Sequence, residues 1–168
     1  MRRHSIAPVA AAVLLALAGG AQAATKTTTF NVSANVASNC LISTTNLGFG
    51  AYTGVAQLTG TSTVGVRCTN GTGYTVKLSA GNGGSFAPRL MSDGASHSLQ
   101  YNLYTTAANL VVWGDGTGST GVQGATGTGL SNAGNVDYTV YGTLPDNAVN
   151  QTAPVGSYSD VITVSVDY

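Results

Sequence analysis

The sequence predicts an all-β protein built from short antiparallel strands. Two observations carry this prediction: segments in which apolar and polar residues alternate, and turn-forming residues between those segments. The composition agrees, because the 168 residues include 23 glycines and 8 tyrosines, and only 7% are charged. Good helix formers are scarce after the N-terminal segment. About seven strands in one domain of this length predict a β-sandwich.

The N-terminal residues have the pattern of a signal peptide. A basic start at residues 2–4 precedes an apolar run at residues 9–18, and Ala21-Gln22-Ala23 fits the small-residue cleavage pattern. We therefore assign residues 1–23 to a signal peptide and expect an exported mature chain.

The charge of the mature chain bears on its partners. Two of the six basic residues lie in the predicted signal peptide, which leaves four against six aspartates. Because no basic cluster remains, we expect no nucleic-acid partner. Such sparse charge suits a protein that assembles with other copies better than it suits a free soluble monomer.

The first alternating segment follows the signal peptide. Phe30, Val32, Ala34 and Val36 stand two positions apart, with polar residues between them. This pattern predicts a strand with one apolar face. No neighbouring segment offers it a hairpin partner.

Further alternating segments predict the strands of the sandwich itself. Asn70-Gly71 is a hairpin-turn signal between the first two of them. The apolar run Leu110–Trp113 predicts a short strand, and the glycine-rich residues 114–135 predict a long connection. The predicted inward-facing residues are Val64, Val66 and Cys68; Tyr74, Val76 and Leu78; Leu99, Tyr101 and Leu103; and Val136, Tyr138 and Val140.

The last predicted strand, Asp160–Tyr168, is the most informative element. Ile162, Val164, Val166 and Tyr168 alternate with other residues up to the final position. No later strand of this chain follows to cover its edge. Together with the unpaired N-terminal segment, this indicates that one molecule supplies the strand that the next one lacks.

The chain has two cysteines, Cys40 and Cys68. In an exported protein this number predicts one disulfide, and metal binding needs more ligands than the chain offers. Loop-closure entropy for this spacing corresponds to roughly 3.5 kcal/mol. We therefore expect a Cys40–Cys68 disulfide, and neither a metal nor a cofactor.

Two motifs could indicate an enzyme, and neither is complete. The segment Gly116–Gly121 matches a dinucleotide-binding glycine pattern, but no helical periodicity follows it. His97 has Asp93 nearby in sequence, but no nucleophile motif accompanies it. We expect solvated turn residues at both places, and no enzymatic activity.

Two further groups also have a simpler interpretation than a binding or catalytic site. Paired carboxylates of a glycosidase would have to come from aspartates alone, and scattered aspartates are typical of turns. Aromatic residues, including Trp113, could form a sugar-binding platform, but we expect the strand tyrosines to fill the core. The aspartates are Asp115, Asp137 and Asp146, and the strand tyrosines are Tyr101, Tyr138 and Tyr168.

Several motifs along the mature chain together resemble a known family. They are Phe30-x-Val32-x-Ala34-x-Val36, Cys40, Leu47-Gly-Phe-Gly-x-Tyr52, Cys68-Thr-Asn-Gly-Thr72, Tyr74-x-Val76-x-Leu78, Leu99-x-Tyr-Asn-Leu-Tyr104, Val112-Trp-Gly-Asp-Gly and Gly156-x-Tyr158-x-Asp160. This combination resembles the spore coat protein U domain family, which includes pilin subunits of archaic chaperone–usher fimbriae.

The resemblance implies an incomplete immunoglobulin-like sandwich at residues 38–168, which lacks its final strand. It implies that a periplasmic chaperone fills the gap first. The extension at residues 24–37 of an identical or homologous subunit then replaces the chaperone at an outer-membrane usher. Such fimbriae stand on the cell surface and support adhesion and biofilm formation. In this scheme Phe30, Val32, Ala34 and Val36 form the donor strand. The acceptor edge is Ile162, Val164, Val166 and Tyr168.

Two other functions are also compatible with the sequence. A self-contained carbohydrate-binding module would pair residues 25–37 within its own sheet. A spore or cell coat component would instead assemble laterally. A fimbrial subunit leaves that segment available to a neighbour, so its pairing distinguishes the three.

Overall fold

The computed structural model describes residues 23–168. The chain divides into two units, Met1–Asn35 and Val36–Tyr168. The described part of the first unit, residues 23–35, contains no helix or strand. The predicted signal peptide lies outside the described residues except for Ala23. All strands of the described chain belong to the second unit.

The second unit is a sandwich of two antiparallel sheets. Its strands are β1 (Cys40–Thr44), β2 (Leu58–Cys68), β3 (Gly73–Leu78), β4 (Arg89–Ser92), β5 (Ser98–Tyr104), β6 (Gln123–Thr126), β7 (Val136–Leu144) and β8 (Val164–Asp167). The five-stranded sheet has the order β1-β2-β7-β5-β4, and the three-stranded sheet has the order β6-β3-β8. The prediction of an all-β, immunoglobulin-like sandwich is confirmed.

In the part of the chain that the structure describes, helical structure is limited to a 3-10 turn at Asn132–Gly134 and a single helical turn, α1 (Ala148–Gln151). Asn147 caps α1 by accepting a hydrogen bond from the Asn150 backbone N–H. Within residues 23–168, no helix has the length and apolar character needed to cross a membrane.

Alternation along the strands produces the core, because successive side chains of a strand point to opposite faces of its sheet. The predicted inward sets of β2, β3 and β5 are confirmed, whereas in β7 Val140 is buried and Tyr138 only half-buried. The buried apolar residues are Val64, Val66, Cys68, Tyr74, Val76, Leu78, Leu99, Tyr101, Leu103, Trp113, Val140 and Leu144.

Buried polar groups join the two sheets. The side chain of Arg89 is fully buried. Its Nη2 donates to the carbonyl oxygens of Ser79 at 2.8 Å and Trp113 at 2.7 Å, and its Nη1 donates to Asn102 Oδ1 at 2.8 Å. Burial lowers the pKa of Arg89. The indole N–H of Trp113 donates to the carbonyl oxygen of Val76 at 3.1 Å, so β3, β4 and β5 are tied together.

Cys40 and Cys68 form the predicted disulfide. The register places the two residues directly opposite each other, and their Cα atoms are 4.1 Å apart. The bond therefore joins the first residue of β1 to the last residue of β2.

The Asn70-Gly71 turn forms, but it does not close a hairpin. Gly71 has a φ of 81°, and the N–H of Thr72 donates to the carbonyl oxygen of Thr69 at 3.0 Å. The strand before the turn, β2, already pairs with β1 on one edge and with β7 on the other. The strand after the turn, β3, finds no free edge there and enters the other sheet. The predicted turn is therefore present, but it connects strands of different sheets.

The apolar run Leu110–Trp113 is not a strand. Leu110 is 83% exposed, whereas Trp113 is buried in the core. Val112 is half-buried and forms an isolated bridge to Tyr104, and Trp113 forms one to Gly121, so the run makes single bridges and no regular strand. Residues 114–135, predicted as a plain connection, also contain β6, which pairs with β3.

The C-terminal strand is shorter than the predicted Asp160–Tyr168, because the chain changes sheets just before it. Ser159 pairs with Ser92 of the larger sheet, whereas β8 pairs with β3 in the smaller one. Tyr168 lies beyond the last paired residue and is 58% exposed. The prediction that Tyr168 fills the core was therefore wrong.

Replacing Cys68 with Ser is expected to destabilise the sandwich. The bridge joins residues separated by 28 positions. Loop-closure entropy for that separation corresponds to roughly 3.5 kcal/mol of unfolding free energy. Urea unfolding of the mature chain, followed by tryptophan fluorescence, measures this loss. Wild-type protein treated with a reductant is the matched control and should lose the same amount. Unchanged stability in both samples would contradict the prediction.

Candidate functional site

An open groove lies between the two sheets, with a volume of about 410 Å³. Both sheets contribute to its lining, in which apolar side chains outnumber polar ones. The apolar lining residues are Leu47, Phe49, Val64, Leu78, Met91, Tyr101, Leu103, Val140, Tyr158, Ile162 and Val164. The polar ones are Thr44, Thr45, Asn46, Ser62, Ser159 and Asp160.

The groove is open because the two sheets are unequal. Within the described residues, β1 pairs only with β2, and β8 pairs only with β3, so each is an edge strand. Three strands do not cover the inner face of a five-stranded sheet. Both edge strands therefore present backbone N–H and C=O groups with which a further strand could pair.

Ile42 shows that the inner face is uncovered beside β1. It stands directly opposite Val66 in the register, and directly opposed residues share one face of a sheet. Val66 is fully buried, yet Ile42 is 44% exposed. A core-facing apolar side chain therefore lacks the strand that would cover it.

Asp160 anchors the segment that leads into β8. The Tyr101 hydroxyl donates to its Oδ2 at 2.5 Å, and the backbone N–H groups of Asn82 and Val161 donate to its Oδ1 at 2.8 and 2.7 Å. Burial and the hydrogen bond to Asp160 raise the pKa of Tyr101, so its phenol stays protonated and donates. Both carboxylate oxygens of Asp160 are thus engaged in holding the chain.

Two further interactions fix β8 and the residues before it to β3. Lys77 Nζ lies 2.6 Å from Asp167 Oδ2, and the hydrogen bond to Asp167 raises the pKa of Lys77. Beyond β3, the Ser79 N–H donates to the Thr163 carbonyl oxygen, and Ser79 Oγ accepts from the Thr163 N–H, both at 2.9 Å. One edge of the C-terminal segment is therefore held, while the other remains open.

Two of the four predicted acceptor residues line the groove. They are Ile162 and Val164, which are half-buried. Val166 is also half-buried and pairs with Val76, but it is not part of the lining. Tyr168 does not line the groove either, because it lies beyond the end of β8.

The four predicted donor residues lie outside any strand. Phe30 and Val32 are each 85% exposed and Val36 is 84% exposed. Ala34 is exposed as well. The apolar face predicted from their spacing is thus open to solvent in the single chain.

The alternative chemical sites take the form of local turns. His97 Nδ1 lies 2.6 Å from Asp93 Oδ2 on an exposed loop, and that hydrogen bond lowers the pKa of Asp93. Asp115 accepts hydrogen bonds from the backbone and side chain of Thr117, which lower its pKa. After Gly116–Gly121 the chain continues into β6, whereas a dinucleotide motif is followed by a helix.

The candidate carboxylates and the candidate sugar-binding aromatic residue form no binding site either. Asp137 accepts a hydrogen bond from Asn135, and Asp146 accepts one from Tyr52, so each carboxylate has its own side-chain partner. Trp113 is buried and forms no exposed sugar-binding platform. Across residues 23–168, no cluster of three or more His, Cys, Asp or Glu side chains is arranged to hold a metal ion.

Part of the groove lining was not predicted from the sequence. Leu78, Tyr101 and Val140 were predicted to face the core, and they do, but the missing cover turns this part of the core into a groove wall. Met91 lies in β4, which is too short to show an alternating pattern. The residues just after β1, Thr45 and Asn46, carry no sequence signal of their own.

Comparison with known proteins places the chain in a family. The Spore Coat Protein U domain model matches residues 26–165. Protein U of Myxococcus xanthus is 32% identical over 184 residues, which covers 99% of this chain and 98% of that protein.

Among solved structures, the chain resembles one from the chaperone–tip adhesion subunit pre-assembly complex of the archaic chaperone-usher Csu pili of Acinetobacter baumannii. The TM-score is 0.57 and the identity 24%; the match covers 79% of this chain and 40% of the other, so this chain spans less than half of that one. This likeness shows a shared fold. Because the family model covers most of the sequence and Protein U aligns along nearly all of it, the chain belongs to the Spore Coat Protein U domain family.

Proposed function

We propose that this protein is a structural subunit of a surface fimbrium that polymerises by donor-strand exchange. The observation that carries the proposal is the groove between two free strand edges, on the inner side of β1 and β8. The N-terminal segment of a second copy has the matching pattern: apolar side chains at every other position, in no strand of its own chain.

The chemistry of the two surfaces is complementary. A strand laid between β1 and β8 would pair its backbone with their free edges and place alternate side chains against the groove lining, the β-augmentation mode of recognition. Side chains at every second position are about 6.6–6.8 Å apart, which spaces the anchors evenly. Burial of Phe30, Val32 and Val36 would contribute roughly 1.5–3 kcal/mol each.

The open groove also implies a chaperone. An apolar groove beside two unpaired strand edges is an aggregation hazard in a free monomer. We infer that a periplasmic chaperone occupies it before assembly and that an outer-membrane usher exchanges the chaperone for the next subunit. The similarity to a chaperone–subunit pre-assembly complex supports this step. The protein would then be exported to the cell surface, where fimbriae would support adhesion and biofilm formation.

The family description favours one other candidate. Membership of the Spore Coat Protein U domain family, with Protein U as a relative, is equally compatible with a coat component that assembles laterally. Lateral assembly would not require residues 24–37. Both candidates are structural roles, and neither requires catalysis by this chain.

Phe30→Asp in the donor segment is expected to abolish fibres, because it would place a charge in an apolar groove. Asn31→Asp is the matched control, since its side chain would face away from the groove, and it should assemble normally. Electron microscopy and sedimentation of assembled material measure the difference. Equal assembly by both variants would count against insertion of this segment.

Ile162→Asp in the groove should also abolish fibres, whereas Val161→Asp, at an adjacent position that is 66% exposed, should not. The two defects are complementary. A mixture of Phe30→Asp and Ile162→Asp subunits should form heterodimers but no larger assemblies. The Phe30→Asp variant keeps a working groove, and the Ile162→Asp variant keeps a working donor segment. Size-exclusion chromatography with light scattering detects this product. Long fibres from the mixture would contradict the proposal.

Deletion of residues 24–37 tests the two assembly modes against each other. Co-expressed with its chaperone, the truncated protein should form a soluble one-to-one complex that never polymerises. Native mass spectrometry measures the stoichiometry. Normal polymers from the truncated protein would favour lateral coat assembly instead.

A further inference from the structure

A second cavity, of about 460 Å³, lies against strands β5 and β7. This volume falls within the roughly 300–1,000 Å³ of small-molecule sites. Loop residues surround it: Gln57 precedes β2, Pro88 precedes β4, Asn109 follows β5 and Pro145 follows β7.

The groove lies on the inner face of the larger sheet and most of the cavity lies on its outer face, with Tyr101 bordering both. Asn102 and Thr143 stand directly opposite each other in the register and line the cavity. Their neighbours Leu103 and Leu144 belong to the core. Because successive side chains of a strand alternate between faces, the cavity side is the outer face of the sheet. Occupancy of the groove therefore leaves it accessible.

Polar groups are built into this cavity. Asn102 is 9% and Thr143 is 7% exposed, which is deep burial for polar residues on an outer sheet face. Asn109 Nδ2 donates to Thr143 Oγ1 at 2.9 Å. Among residues 23–168, the amide oxygen of Asn109 and the hydroxyl proton of Thr143 have no other hydrogen-bond partner, so they are available to a ligand. Gln57 and Tyr104 add a further amide and a phenol to the lining.

The lining has no charged side chain. Phosphate or carboxylate ligands would lack the charge-assisted bonds that normally hold them. The nearby Arg89 is committed to Ser79, Trp113 and Asn102. A purely apolar ligand would leave the amides and hydroxyls without partners, which is unfavourable.

A neutral ligand with several hydroxyl groups satisfies both restrictions. Its hydroxyls can both donate to and accept from amide and hydroxyl groups. Its C–H face can pack on the Tyr104 ring, which combines an apolar face with a polar tip. We propose that this cavity binds a neutral carbohydrate of about monosaccharide size. Tyr104 provides the packing face, and Gln57, Asn109 and Thr143 provide the hydrogen bonds.

Saturation-transfer difference NMR on the full mature protein tests the proposal, because this method observes the ligand and tolerates assembled protein. The probes are the methyl glycosides of glucose, galactose, mannose and N-acetylglucosamine, with gluconate as a charged hydroxylated control. Saturation transfer to at least one neutral sugar, with none to gluconate, is expected. No transfer to any of the four sugars would overturn the proposal.

Variants then locate the site. Tyr104→Ala should weaken binding of the responding sugar roughly tenfold, which corresponds to about 1.4 kcal/mol. Tyr141→Ala is the matched control, because Tyr141 stands directly opposite Tyr104 but does not line the cavity.

Gln57→Leu removes an exposed amide of similar size, and it should also weaken binding in a folded protein. If Tyr104→Ala does not fold, the Gln57→Leu variant tests whether the sugar binds in this cavity. Undiminished binding by Gln57→Leu, together with equal losses in the two tyrosine variants, would overturn the assignment to this cavity.

Discussion

The apolar inner face of a five-stranded sheet has to be covered, and residues 23–168 bring only three strands to cover it. The rest of the structure depends on this mismatch. It leaves β1 and β8 as free edges, and Ile42 stays exposed although Val66, its partner in the register, is fully buried. A sandwich with all its strands would bury the same side chains internally. Here part of that burial is missing within the described sandwich.

The rest of the sandwich is held firmly, which allows it to tolerate the open groove. Arg89 and Trp113 donate to main-chain carbonyls and tie β3, β4 and β5 together. The Cys40–Cys68 bond secures β1, whose only strand partner among the described residues is β2. The segment that ends in β8 is secured by the hydrogen bonds of Asp160 and Ser79 and by the ion pair of Lys77. Both edges of the groove are therefore fixed within the single chain, which would lower the ordering cost of binding a further strand.

The two faces of the larger sheet have different chemistry. The inner face meets a groove in which apolar side chains predominate. In the proposed polymer, backbone pairing there would give affinity and alternate side chains would give register. The outer face carries a cavity between loops whose lining has no charged side chain. Loops can vary without disturbing the strands, so this is where a repeating subunit can acquire binding properties of its own. Assembly and ligand recognition would then depend on separate surfaces.

The sequence by itself determined the strand periodicity, the disulfide, the inward sets of β2, β3 and β5, and the alternating N-terminal segment. These follow from local spacing, because a period of two specifies which face of a strand is apolar. Tertiary structure alone decided which strands are neighbours. The Asn70-Gly71 turn crosses between sheets because β2 has no free edge, and the last strand is short because the chain changes sheets before Val164. The groove itself arises where the strand counts of the two sheets differ. Local patterns indicated an uncovered edge at the last strand, but which residues line the groove depends on pairing between distant segments.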